Sequence, residues 1–398
     1  MARNYTTKDF FRKMPNALLA RYFHKEGLFT ELDFSTMKET KPDELFAAWL
    51  DLEETQRHRI DTFFYEIFDM SCEKGFLAII DEASWQLQNK PDELNFFINS
   101  LSSLPNHFHR AMITFLDYPH FWKGATRFYH ADTLSYWRKR KNLGHNPAAV
   151  DKISIDLLAQ LIGDYFHNTE GRGRNCEVEA FRRGERDYFF AYPEDYSQQS
   201  LEWVDGEFKN RPHNPAFEIV FVYSQKEGSL DLHFQGSYKA IEPLQAIFAA
   251  AILKQETLPP DPKDTRVYDL DQLAQRDFKF DFAIDSGIQA VKIKKLRLSS
   301  KWNKGDRISI EADVTDNANA IYDLLKKIDN LHSYNVTQAD IAASMQQDMD
   351  KPAKIVSIRI TYPNSCSLKY DERDLKLRAM LEASGIELKE ITEETHEA

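Results

Sequence analysis

Three short zones of cations stand out in a chain that is acidic overall. Arg138, Lys139, Arg140 and Lys141 follow Tyr136 and Trp137; Arg172 and Arg174 flank Gly173; Lys292, Lys294 and Lys295 stud one apolar run. Clustered lysine and arginine neutralise phosphates, and interleaved aromatics offer planes for base stacking, so the combination points to nucleic acid. Each zone also has a structural use. Arg138–Lys141 would end a helix predicted over 132–142, where cations complement the dipole. The lysines of 292–304 would keep an exposed sheet edge from pairing with another chain.

A second constellation is acidic. Asp195 precedes Glu207–Phe208–Lys209. An upstream acid followed by Glu-x-Lys is an arrangement in which carboxylates hold Mg²⁺ and the lysine steadies an attacking water. Here Gly206 and Asn210 flank the triplet and Pro212 follows it, which predicts a loop. His107 and His109 lie two apart on a predicted helix and so face different directions. Gly171-x-Gly173 follows a helix, and an anion there would meet the carbonyl end. The chain has no Gly-x-x-x-x-Gly-Lys loop and no Gly-x-Ser-x-Gly elbow, and no cysteine sits where its pKa would fall. No cofactor and no metal site are implied.

The totals narrow the class. A chain of 398 residues exceeds one ordinary core, so two or three domains are expected. Twenty-eight phenylalanines read as core packing rather than recognition. No apolar run reaches the length of a membrane span. Three cysteines far apart (Cys72, Cys176, Cys366) fit reduced thiols in a cytoplasm rather than a disulfide framework. The net charge of −12 speaks against non-specific binding to nucleic acid or acidic lipid, so any such contact must be local.

The elements that would position these residues follow from periodicity. Residues 1–170 read as an all-helical domain, with Pro91, Pro105 and Pro147 near helix starts. The stretch 175–256 reads as an antiparallel sheet plus a helix. Cys176–Arg182 returns as Tyr188–Tyr192, Phe217–Tyr223 pairs with Leu230–Phe234, and an apolar helix begins at Pro243. Residues 193–215 read as a loop. Thr257–Pro262 reads as a stiff linker, and 266–390 as an α+β domain with a strand at Phe278–Ile284. Val336–Ala342 has the pattern of a first helix of a helix-turn-helix, but Pro352 and the strand-like Ile355–Ile360 leave no room for a recognition helix.

The sequence therefore points to an α+β, cytoplasmic, non-catalytic binding protein, a subunit or regulator of a complex. A protein partner or self-association is expected, nucleic acid is the non-protein partner its basic zones suit, and no membrane is involved. The alternative is a metal-dependent hydrolase or nuclease built on Asp195, Glu207 and Lys209.

Overall fold

The computed structural model describes residues 4–204, 206–258, 266–303, 305–346 and 352–388. The class is α+β: helices fill the first third of the chain and a large antiparallel sheet dominates the rest. Packing divides the chain into two compact units. One holds the residues up to Thr133 together with Arg182–Gly184; the other holds Leu134–Phe181 and everything from Glu185 onward.

The first unit contains α1 (Thr7–Lys13), α2 (Asn16–Lys25), α3 (Asp43–Leu50), α4 (Glu54–Met70), α5 (Glu73–Gln86), α6 (Pro91–Ser102), α7 (His107–Asp117) and α8 (Pro119–Thr133). Side chains fix several starts: the Thr6 hydroxyl accepts from the Asp9 N–H, and Asn106 accepts from Phe108 and His109. The phenylalanines serve packing. Phe10, Phe11, Phe23 and Phe64 are fully buried, and the Phe10 and Phe64 rings stack at 4.7 Å.

The second unit is built on β1 (Trp137–Arg140), α9 (Lys152–Glu170), β2 (Cys176–Arg183), β3 (Arg186–Pro193), β4 (Gln198–Val204), β5 (Glu207–His213), β6 (Ile219–Ser224), β7 (Ser229–Phe234) and α10 (Ile241–Ala251). It continues with β8 (Ile288–Ser300), β9 (Arg307–Glu311), α11 (Ala320–Leu325), β10 (Tyr334–Met345), β11 (Lys354–Thr361), β12 (Ser365–Cys366) and α12 (Glu372–Ala383). Ten strands form one sheet in the order β2-β3-β6-β7-β1-β12-β11-β10-β8-β9, while β4 and β5 pair only with each other. Two cores result. Phe166 of α9, Phe189, Phe221, Leu232 and Phe248 of α10 share one. Leu296, Ala339, Ile341, Ile358, Ile360, Leu377 and Leu381 share the other. The helix Lys152–Glu170, read with the N-terminal helices, thus packs on the sheet.

Four local readings are corrected. The helix over 132–142 does not form: α8 stops at Thr133 and Trp137–Arg140 is a strand at the middle of the sheet, held there by ladders to β7 and β12, partners that lie far along the chain. The loop 193–215 is largely the β4–β5 ribbon. Phe278–Ile284 alternates but pairs with no strand; Phe278, Phe280 and Phe282 pack on the core from irregular chain. Val336–Ala342 lies within β10, not on a helix. The linker residues Pro259–Pro262 lie outside the described residues.

Candidate nucleic-acid interface

The first basic zone is held from both sides. Arg138 to Arg140 pair with Leu230–Leu232 of β7, and Arg138 also faces Ser365 of β12. Side chains alternate along a strand, so Arg138 and Arg140 project to one face and Lys139 to the other. Lys141, just past the strand, continues the alternation beside Lys139.

On the first face the Arg138 guanidinium lies 5.6 Å from the Tyr238 ring centre, and Arg140 Nη1 donates to Gln245 Oε1 on α10 at 3.2 Å. On the other face Lys139 Nζ sits 2.8 Å from both Glu227 and Glu387. Lys141 Nζ approaches Glu387 at 3.4 Å and donates to the Leu388 carbonyl. Arg186 closes the group onto Glu227, and the Tyr370 hydroxyl donates to Asp231.

These charges hold one another. Burial alone would pull the Lys139 ammonium down, but Glu387, Asp231 and Glu227 outweigh it and keep its pKa above the ordinary value. Burial opposes ionisation of Glu227 too, yet Lys139 and Arg186 bring its carboxyl down to about 2. Glu387 is likewise lowered against its own burial by Lys139, Arg378 and Lys141. Lys139 is therefore a sheet-centre ion-pair residue, and the four cations do not form one face.

The other zones are placed differently. Arg172 bonds Glu170 and Asp195 and stacks 4.0 Å over Phe217, whereas Arg174 is exposed. Lys292 donates to the carbonyls of Val314 and Thr315, Lys295 pairs with Glu311 at 3.0 Å, and Lys294 is exposed. Lys295 belongs to a cross-strand row of alternating sign, Glu311–Lys295–Asp340–Arg359, whose last pair is a bidentate fork.

The acids of the hydrolase reading are not assembled. Asp195 is committed to Arg172 at 2.7 Å, while Glu207 and Lys209 pair with each other on β5. Among the described residues no group of three or more His, Cys, Asp or Glu is placed to hold a metal ion.

One cavity borders part of the first zone, Arg138 excepted. It has a volume of about 390 Å³, and its cationic lining is Lys139, Arg140, Lys141, Lys239 and Arg266, against the single acid Glu242. Tyr238, which is 67% exposed, stands in the wall with Arg138 against its ring. None of Arg172, Arg174, Lys292, Lys294 and Lys295 lines it. No protein-family model matches the sequence, and no curated protein matches it. The site must be read from its own chemistry.

Tyr238, Lys239, Gln245, Arg266 and the partners Glu227 and Glu387 were not singled out from the sequence. The signal available was Tyr238–Lys239 directly before an apolar helix, an aromatic and a cation at a helix entry. Nothing local marks Glu387, which meets Lys139 from 248 positions away.

Proposed function

We propose that the protein is a non-catalytic binding protein that takes a short single-stranded segment of nucleic acid at the Tyr238 cavity. The observation that carries this is the exposed Tyr238 ring standing on the wall of a cavity whose cationic lining includes Lys239 and Arg266, with Glu242 as its single acid; Lys139 and Lys141 border it but are held by Glu387. A base stacks on any aromatic face without regard to sequence, and a phosphate is drawn to the cations beside it. A cavity of this size takes one nucleotide unit rather than a duplex groove. The exposed Arg174 and Lys294 would add only long-range attraction. The three cysteines are unpaired, which suits a reducing, cytoplasmic setting.

With a net charge of −12 the molecule as a whole repels polyanions, so attraction is strongest at this cavity and screened readily by salt. Fluorescence anisotropy with a labelled single-stranded oligonucleotide at two salt concentrations tests the reading. Stacking is worth about 1–3 kcal/mol per base, so Tyr238→Ala should weaken binding by about 5- to 150-fold. Lys239→Gln should flatten the salt dependence by about 0.7 in log–log slope, the loss of one phosphate contact. Arg174→Gln should leave the affinity of a short oligonucleotide almost unchanged. Absence of binding to the wild type at low salt, or equal binding by Tyr238→Ala, removes the proposal.

A further inference from the structure

The β4–β5 ribbon stands outside the ten-stranded sheet and carries its apolar side chains outward. Leu201, Trp203 and Phe208 are 68%, 69% and 59% exposed, and the Trp203 and Phe208 rings lie 5.3 Å apart as a cross-strand pair. The register sorts the ribbon into two faces. Gln199, Leu201, Trp203, Phe208, Asn210 and Pro212 share one; Ser200, Glu202, Glu207, Lys209 and Arg211 share the other. The first face bears no formal charge, and its two amides bond each other, Asn210 Nδ2 donating to Gln199 Oε1 at 2.7 Å. The charged face pairs internally as well, Lys209 to Glu207. A two-stranded ribbon is marginal without a covering layer, and an apolar face of this kind marks an interaction site.

We propose that this face docks against the same face of a second copy of the chain across a twofold axis. A twofold contact places one patch on itself and so requires self-complementarity. A neutral face with an apolar centre meets that requirement, because no like charges are brought together. A polyanion has no cation to meet there, since Lys209 and Arg211 lie on the opposite face. Two ribbons stacked at the ordinary sheet spacing of about 10 Å interdigitate Leu201, Trp203 and Phe208 into a small sandwich. From the sizes of these side chains and their exposure, each copy contributes roughly 400 Å², and with the rim the contact totals roughly 1,000 Å². That is the lower bound for a specific interface, so the dimer is a weak, reversible one, to be sought at about 1–100 μM protein.

The charge of the chain gives the association a sign. Two copies at −12 each repel, so salt should strengthen dimerisation while it weakens oligonucleotide binding. Sedimentation velocity of the full chain across this concentration range, at low and high salt, reads both. The wild type should move from monomer to dimer, with the midpoint at lower protein concentration in high salt. Trp203→Ser combined with Phe208→Ser should stay monomeric, with an unchanged melting temperature in dilute solution. Glu202→Gln combined with Lys209→Gln, on the other face, should dimerise like the wild type. A wild type that stays monomeric throughout overturns the proposal, as does a dimer that survives Trp203→Ser/Phe208→Ser or is lost in Glu202→Gln/Lys209→Gln. The outcome is independent of whether Tyr238 binds nucleic acid.

Discussion

Two short stretches of the second unit invert the usual distribution of polar and apolar groups. Trp137–Arg140, three-quarters cationic, lies in the middle of a ten-stranded sheet, with Lys139 3% exposed. The β4–β5 ribbon holds Leu201, Trp203 and Phe208 in the open. Residue type alone would assign the first to solvent and the second to a core. What separates them is partnership. Lys139 has Glu227 and Glu387 converging on one ammonium, whereas the ribbon pairs only with itself. A charge inside is tolerated when acids surround it. An apolar face outside calls for a second layer, and among the described strands none extends this two-stranded sheet.

The largest effect is expected at Lys139. Removing the ammonium leaves Glu227 with Arg186 and leaves the buried Glu387 with Lys141 and Arg378. Breaking a buried pair from one side costs about 3–5 kcal/mol, so Lys139→Met should lower the unfolding free energy by that order. Urea melts followed by circular dichroism measure it. A loss below about 1 kcal/mol, the range of exposed pairs, would mean that the acids are solvated and that the inversion is only apparent.

A gentler break uses pH. Glu227 titrates at about 2 in the folded protein against an ordinary 4.5, so its stabilisation is fully present above 4.5. It is lost as the pH falls from there through about 2. Glu387, also lowered, acts in the same direction. Lys139 is raised above its ordinary 10.5, so its contribution is complete below that value and is lost as the pH rises through the folded pKa. Stability should therefore fall on both sides of a broad plateau. Thermal melts of Glu227→Gln should start lower at neutral pH and show a shallower acid limb than the wild type. Parallel acid limbs would place the acid sensitivity elsewhere.

The same contrast explains what the sequence made legible. Hairpins closed by local turns were readable: Cys176–Arg183 with Arg186–Pro193 around Gly184, and Ile219–Ser224 with Ser229–Phe234, carry apolar alternation and turn residues within a few positions. The helix read from Pro243 was readable from its apolar stripe and begins two residues earlier, at Ile241. β1 was not readable. Its alternation is between cations, and both partner strands lie far along the chain, at Ser229–Phe234 and Ser365–Cys366. Phe278–Phe282 failed in the other direction, with alternation present but no strand pairing formed. Of the candidate site, Arg138–Lys141 was found as a cluster, but its division between two faces follows only from its being a strand. Tyr238 and Arg266 join it by tertiary folding, from outside any motif.

The smallest expected effect lies on the ribbon. Trp203 and Phe208 touch each other and stand mostly in water, so their truncation removes little that folding buries. Surface changes away from caps, cavities and buried pairs stay within about 0.5 kcal/mol. Trp203→Ser at low protein concentration, where the chain is monomeric, should leave the urea midpoint and its slope almost unmoved. The same measurement at high concentration should separate the two proteins, because a dimer that unfolds to monomers gains stability with concentration and Trp203→Ser cannot. Lys139→Met should destabilise at every concentration, and Trp203→Ser only where copies meet. A midpoint that falls in dilute Trp203→Ser would show that the exposed aromatic pair supports its own unit, and the ribbon would then be a structural element rather than a surface kept for a second copy.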